Sequence, residues 1–186
     1  ARADEAVDAY MKCVEEYYGK DYKNYIEYAR ALSMKASVCI CIEDYNNAIK
    51  YYESAIQASS SIFGHASVLN SGLFRDLGII YSNLNDYETS YKYLNDALDI
   101  YIALGMRSHP YFAKILQSMA IDLCYFGLDE EANDYLDIAY KIFVDTCGED
   151  CTLVNSNRIR KVYTYYIPHN KLREAREQLY KYKQKK

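Results

Sequence analysis

Small and bulky apolar residues recur along this chain at one long interval. Ala6, Ala48, Ser90, Ala132 and Ala175 share a phase, separated by 42, 42, 42 and 43 residues. Four residues after each stands a bulky apolar side chain (Tyr10, Tyr52, Leu94, Leu136, Leu179), and seven after it Cys13, Ala55, Ala97, Ala139 and Tyr182. Spacings of four and seven keep one helical face in register, so each unit carries an amphipathic helix with a small–large–small stripe. The small members let a second helix approach, and the large one fills the groove beside it. Twelve residues before each repeated small residue lies another stripe. It reads Leu32, Ala36, Cys39; then Phe74, Leu77, Gly78, Tyr81; then Leu116, Met119, Ala120, Leu123; then Ile159, Val162, Tyr163, Tyr166. Self-similarity at such a period marks a stacked repeat array.

The pattern predicts helices over 4–18, 25–42, 45–63, 66–84, 87–104, 110–126, 129–146, 152–167 and 171–184. Each unit is two antiparallel helices joined by a short turn. Asp44, Asp86 and Asp129 stand at those turns, where a carboxylate can cap the second helix, and Asn170 follows Pro168 in the same role. The longer connections hold Gly64-His65, Gly105 to Pro110 and Gly148 to Cys151, with glycine past a helix end and Pro110 opening the next. The expected fold is therefore all-α, an α-solenoid of antiparallel helix pairs. It forms one domain over 1–186, with a leading helix at 4–18 and pairs over 25–63, 66–104, 110–146 and 152–184. The leading helix has a second-helix stripe but no first helix. It is expected to be either an N-terminal cap or, as Val7, Val14 and Tyr17 expected on its exposed side favour, the start of a fragment of a longer protein. The last helix is charged on its outer side (Arg173, Glu174, Glu177, Lys181), as a terminal cap requires, and Lys181 to Lys186 reads as a fraying tip.

Composition supports this reading. Hydrophobic residues make up 51% of the 186, ample for a core, while two prolines and seven glycines are too little punctuation for a β-rich fold. The net charge of −4 argues against nucleic acid as the partner. No apolar run approaches the ~18 residues that span a bilayer, so no membrane role is expected. Tyrosine is abundant, at 23 residues with no tryptophan, and many of them take large-residue core positions. Six scattered cysteines and no Asn-x-Ser/Thr sequon fit a cytoplasmic protein; Cys147 and Cys151 could form a disulfide or half a metal site, and reduced loop cysteines are the preferred reading.

Candidate chemistry is sparse. His65 and His109 occupy equivalent connections one unit apart, on helices ~8–10 Å from each other, too far to share one metal at ~2 Å bonds. Phosphate-binding glycine loops, His-Glu-x-x-His and nucleophile-elbow motifs are all missing from the sequence. No catalytic residue, metal or cofactor is expected, and the chain is not read as an enzyme.

The second-helix segment Asp44-Tyr45-Asn46-Asn47-Ala48-Ile49-Lys50-Tyr51-Tyr52-Glu53-Ser54-Ala55-Ile56 resembles that of a tetratricopeptide repeat. So does Asp86-Tyr87-Glu88-Thr89-Ser90 with Leu94, Ala97 and Leu98. The usual unit is about 34 residues. The 42-residue units here are similar to those of kinesin light chains, which join through Leu-Gly-x-x-His-Pro, a connection that Leu104-Gly105-Met106-Arg107-Ser108-His109-Pro110 resembles. Departures are Lys35 on a core stripe, Ser90 at a small position, and a degenerate fourth unit.

The resemblance implies a right-handed superhelix whose first helices line a concave groove for extended or helical peptides. The positions it assigns to that groove are Arg30, Ser33, Met34, Ser37 and Cys41, then Gly72, Arg75, Asp76, Ile79 and Asn83. The third unit adds Lys114, Gln117, Ser118, Ile121 and Tyr125, and the fourth Asn157, Arg160, Lys161 and Thr164. Five of these are basic and only Asp76 is acidic, on a net-acidic chain. Such a wall attracts anionic partners, so an acidic or phosphorylated peptide is the expected ligand. Chaperone-type repeats clamp a terminal carboxylate at positions that here hold Ser33, Ser37, Asp76, Lys114 and Ser118, and only Lys114 suits that task. The expected function is thus a non-catalytic protein-interaction scaffold or adaptor. The alternatives are a homo- or hetero-oligomerisation module, or the regulatory helical lobe of a larger enzyme.

Overall fold

A computed structural model describes residues 2–183. Residues 184–186 of the expected tip, and the Tyr182 side chain of the repeat stripe, lie outside what is described. Among the described residues nine α-helices follow one another without a strand. They are α1 (Arg2–Tyr18), α2 (Ile26–Cys41), α3 (Tyr45–Phe63), α4 (Val68–Asn83), α5 (Tyr87–Ala103), α6 (Pro110–Tyr125), α7 (Asp129–Cys147), α8 (Thr152–Lys161) and α9 (Leu172–Lys183). A 3₁₀ turn, Gly19–Asn24, follows α1, and a π-helical turn, Val162–Tyr166, prolongs α8. None of the described helices is long and apolar enough to cross a membrane.

The small–large–small stripe makes the pairs. Ala48, Ala55, Ser90, Leu94, Ala97, Ala132, Leu136 and Ala139 are all fully buried, and α2 packs on α3, α4 on α5 and α6 on α7. Gly78 marks a close approach, since a Cβ there would lie 2.7 Å from Leu94 Cγ. The two departures from the pattern have local causes. Lys35 Nζ reaches Asp8 Oδ1 on α1 at 2.6 Å, which keeps its charge out of the core. Ser90 donates its hydroxyl to the buried Asp122 at 2.6 Å, where alanine could not.

The turns inside the pairs repeat as closely as the helices. Glu43, Asn85, Gly127 and Asn170 all adopt positive φ. After each, the next backbone N–H (Asp44, Asp86, Leu128, Lys171) returns to a carbonyl in the last turn of the preceding helix, at 2.8–2.9 Å. This is the glycine-type helix closure, and it uses carbonyls that would otherwise be orphaned. Asp44 and Asp86 then cap α3 and α5 through the N–H groups of Asn47 and Thr89. Asp129 differs from expectation. It is the first residue of α7, uncapped by any side chain, and its carboxylate pairs with His169 at 3.4 Å. Asn170 likewise supplies the left-handed turn residue rather than a cap.

Three further expectations need correction. In α1 the buried residues are Val7 and Val14, each 4% exposed, whereas Ala6 and Cys13 are exposed. With no first helix of its own to cover, α1 turns toward α2 the face that holds Val7, Met11 and Val14. In the fourth unit Val154, Asn157, Arg158, Val162 and Tyr165 are buried, while Tyr163 is 64% exposed. Their counterparts 42 residues earlier are Phe112, Ile115, Leu116, Ala120 and Leu123, so the 42-residue register persists through Tyr165. The π-turn then absorbs the one extra residue of the 43-residue interval. Finally, Cys147 and Cys151 form a disulfide across Gly148-Glu149-Asp150, with Cα atoms 5.7 Å apart.

Candidate functional site

The first helices of successive pairs stand side by side and bond to one another. Ser82 of α4 donates to Asp122 of α6 at 3.0 Å, and Gln117 of α6 donates to Asn157 of α8 at 3.2 Å. Cys124 contacts the Thr164 carbonyl at 3.5 Å. These links join residues 40 apart in sequence, so α4, α6 and α8 form one continuous wall. Residues at the phase of Ile79 line its open side: Ile79, then Ile121, then Tyr163.

A cleft of about 150 Å³ opens in this wall. Ile79, Ser82 and Asn83 contribute from α4, Ser118 and Ile121 from α6, and Arg160 from α8, over a floor at Leu94. Arg160 is the unusual member. Its Nε is buried with no hydrogen-bond partner, and burial alone holds its guanidinium below the ordinary arginine range. Among the described residues no carboxylate forms an ion pair with it. Arginine cannot escape this cost by losing its proton, so the site favours an added anion.

The other basic positions are occupied differently. Arg75 pairs with Asp76, Nη2 to Oδ1 at 2.5 Å, and its guanidinium lies 5.6 Å from the Tyr111 ring centre. Lys114 Nζ lies 4.7 Å from the same ring centre. Asp76 also accepts from the Tyr52 hydroxyl, which burial and Asp76 push up to about 12, so the phenol keeps its proton. Lys161 pairs with Asp137 of α7. Arg30 is exposed and, like Lys114, forms no ion pair among the described residues.

Of the remaining expected positions, Ser37 is exposed and bonds to the Ser33 carbonyl, while Asn83 and Tyr125 are exposed, the latter stacked on Tyr87. Gln117 and Asn157 are buried instead, and Asn157 also donates to the Leu136 carbonyl. Sequence reasoning missed Ser82, Leu94, Tyr111 and Tyr163. Tyr163 was within reach, since it lies 42 residues beyond Ile121 and 84 beyond Ile79. The three histidines sit apart. His65 tilts against Phe74, His109 stacks on Tyr101 and accepts the Tyr111 N–H, and His169 faces Asp129.

The comparisons with known proteins follow this geometry. Residues 29–61 and 76–102 each match the tetratricopeptide repeat family, the first spanning α2 and α3, the second the end of α4 and α5. The chain thus contains tetratricopeptide repeats. No curated protein matches it in sequence. The crystal structure of BtubC (BKLC) from P. vanneervenii superposes with a TM-score of 0.80 at 17% identity, covering 97% of this chain and 71% of that one. A putative kinesin light chain of Podosopora anserina with nearly identical TPR-like repeats gives 0.70 at 15% identity over 98% and 86%. The pilF protein of Pseudomonas aeruginosa gives 0.62 at 15% identity over 100% and 79%. At these identities the likeness is one of fold. Tetratricopeptide repeats are in general protein-interaction scaffolds, and that much applies to this chain.

Proposed function

We propose that this tetratricopeptide-repeat chain is a non-catalytic adaptor that receives an acidic peptide along the wall of α4, α6 and α8. The supporting observation is Arg160, a desolvated guanidinium with no acidic partner among the described residues, lining a cleft whose walls include Ile79 and Ile121. An aliphatic side chain fills the apolar part, and a neighbouring carboxylate meets Arg160 in a charge-assisted hydrogen bond. Lys114 and Arg30 steer the encounter from outside and raise the on-rate more than the affinity. Arg75 contributes less to the ligand than its charge suggests, because Asp76 already neutralises it. A phosphorylated side chain is the more highly charged version of the same ligand.

The test selects acidic peptides from a random pool on the wild-type chain and titrates them against variants. Arg160→Gln should weaken binding by about tenfold or more, the usual cost of losing a charged hydrogen bond. Arg75→Gln should cost far less. Equal affinity of wild type and Arg160→Gln would discard the reading.

A further inference from the structure

A second cleft, of about 170 Å³, lies at the end of the stack between α7, α8 and α9. Its chemistry is out of place for its position in the repeat. In the third unit the register positions hold Leu116 and Met119, both buried in the apolar core. Forty-two residues later they hold Arg158 and Lys161. These cations have not moved out to solvent, as they would in a merely decayed end unit. The Arg158 side chain is 6% exposed and that of Lys161 13%. Each is held by an acid, Arg158 by Glu149 in the connection after α7 and Lys161 by Asp137. Tyrosine rings flank both, Tyr140 beside Arg158 at 5.3 Å and Tyr166 beside Lys161 at 5.5 Å. Apolar residues of similar volume are often more stabilising than a buried ion pair, so charge retained here points to a use beyond stability.

Two further features locate that use. The π-turn begins one residue after Lys161, and its last residue, Tyr166, reaches the cleft wall, an irregularity of a kind that often accompanies binding sites. From α9, Gln178 and the exposed Lys181 complete the lining. Three cations thus meet around the cleft against one lining acid, Asp137. Lysine offers three N–H donors, and Lys161 shows one engaged, with Asp137. The volume is below the ~300 Å³ of ordinary small-molecule pockets, so it admits a charged head group and little more.

We infer that the cleft between α7, α8 and α9 binds a phosphate or phosphate-monoester dianion through Arg158, Lys161 and Lys181. The site shares α8 with the peptide wall but none of the residues that line its cleft. A tetrahedral oxyanion suits it better than a carboxylate: Asp137 and Glu149 balance two of the three cations, so selection comes from the several oxygens that can accept from Arg158, Lys161 and Lys181 together.

The test is thermal unfolding of the whole chain in inorganic phosphate, in phenyl phosphate and in chloride of matched ionic strength. Ligand that binds only the folded state raises the melting temperature with concentration. Phosphate and phenyl phosphate should each raise it by a few degrees over chloride. A response to phenyl phosphate alone identifies an esterified phosphate as the ligand, and one to inorganic phosphate alone the free ion; both support the site. Lys161→Met, which writes the third unit's residue into the fourth, should fold at least as stably as wild type and lose the response. Should that variant fail to fold, the exposed Lys181→Gln should fold normally and weaken binding by about three- to tenfold. No shift over chloride in wild type, or an undiminished shift in both variants, overturns the inference.

Discussion

Asp122 is a carboxyl that the fold buries without a cation beside it; its partners are the hydroxyls of Ser82 and Ser90. Burial raises its pKa, and the two hydrogen bonds only partly oppose the rise. A carboxyl whose folded pKa exceeds its unfolded value contributes stability that is fully present below the unfolded range, around pH 4, and is lost as pH rises through the folded value. Asp122→Asn removes that loss while keeping a donor and an acceptor for the serines. Urea unfolding at pH 4 and pH 7 should therefore show the variant gaining on wild type as pH rises. A difference that stays flat, or that favours wild type at pH 7, would show the charge to be well accommodated. Single residues were also where the sequence was hardest to read. Ser90 looked like a lapse in the alanine ladder, and only the 32-residue link to Asp122 explains it. Lys35 looked misplaced until Asp8 appeared beside it.

Helices, by contrast, were legible almost throughout, because apolar spacing fixes both their extent and their inward face. From α2 to α7 the stripes read from the sequence are the buried ones, apart from the half-buried Cys39 and Tyr81. The two failures lie where a neighbour is missing or a residue is extra. α1 rotates because nothing of its own pair covers Ala6 and Cys13, and periodicity alone cannot tell which apolar face finds a partner. In α8 the single insertion was placed before the core contacts instead of in the π-turn behind them, which shifted the stripe by one residue. The close approach of α5 to its neighbours gives a direct check on the ladder. Ala97 is fully buried, and its carbonyl accepts the Ser71 hydroxyl at 2.8 Å. Ala97→Leu should cost roughly 1–3 kcal/mol by overpacking, read from chemical denaturation. A neutral substitution would mean that α4 and α5 are less tightly packed than the stripe requires.

Taken as a whole, the chain is a row of paired helices in which the second helices seal the core and the first helices present a wall. Its candidate peptide site was only partly legible. Phase alone brought Ile79, Asn83, Ile121 and Arg160 to one face, since residues one unit apart must fall in line. Phase could not show that Arg75 and Lys161 are already paired, the first with Asp76 beside it and the second with Asp137 on a different helix, whose reach depends on packing. Nor could it show that Gln117 and Asn157 spend their amides on each other. The central claim, that ligand lies along the first helices, is best tested by backbone and methyl NMR of the whole chain titrated with an acidic peptide selected as above. The account predicts perturbations that repeat at Ile79, Ile121 and Tyr163, with the largest near Arg160. Perturbations confined to the outward residues of α3, α5 and α7, such as Glu53, Asp96 and Ile138, would contradict it.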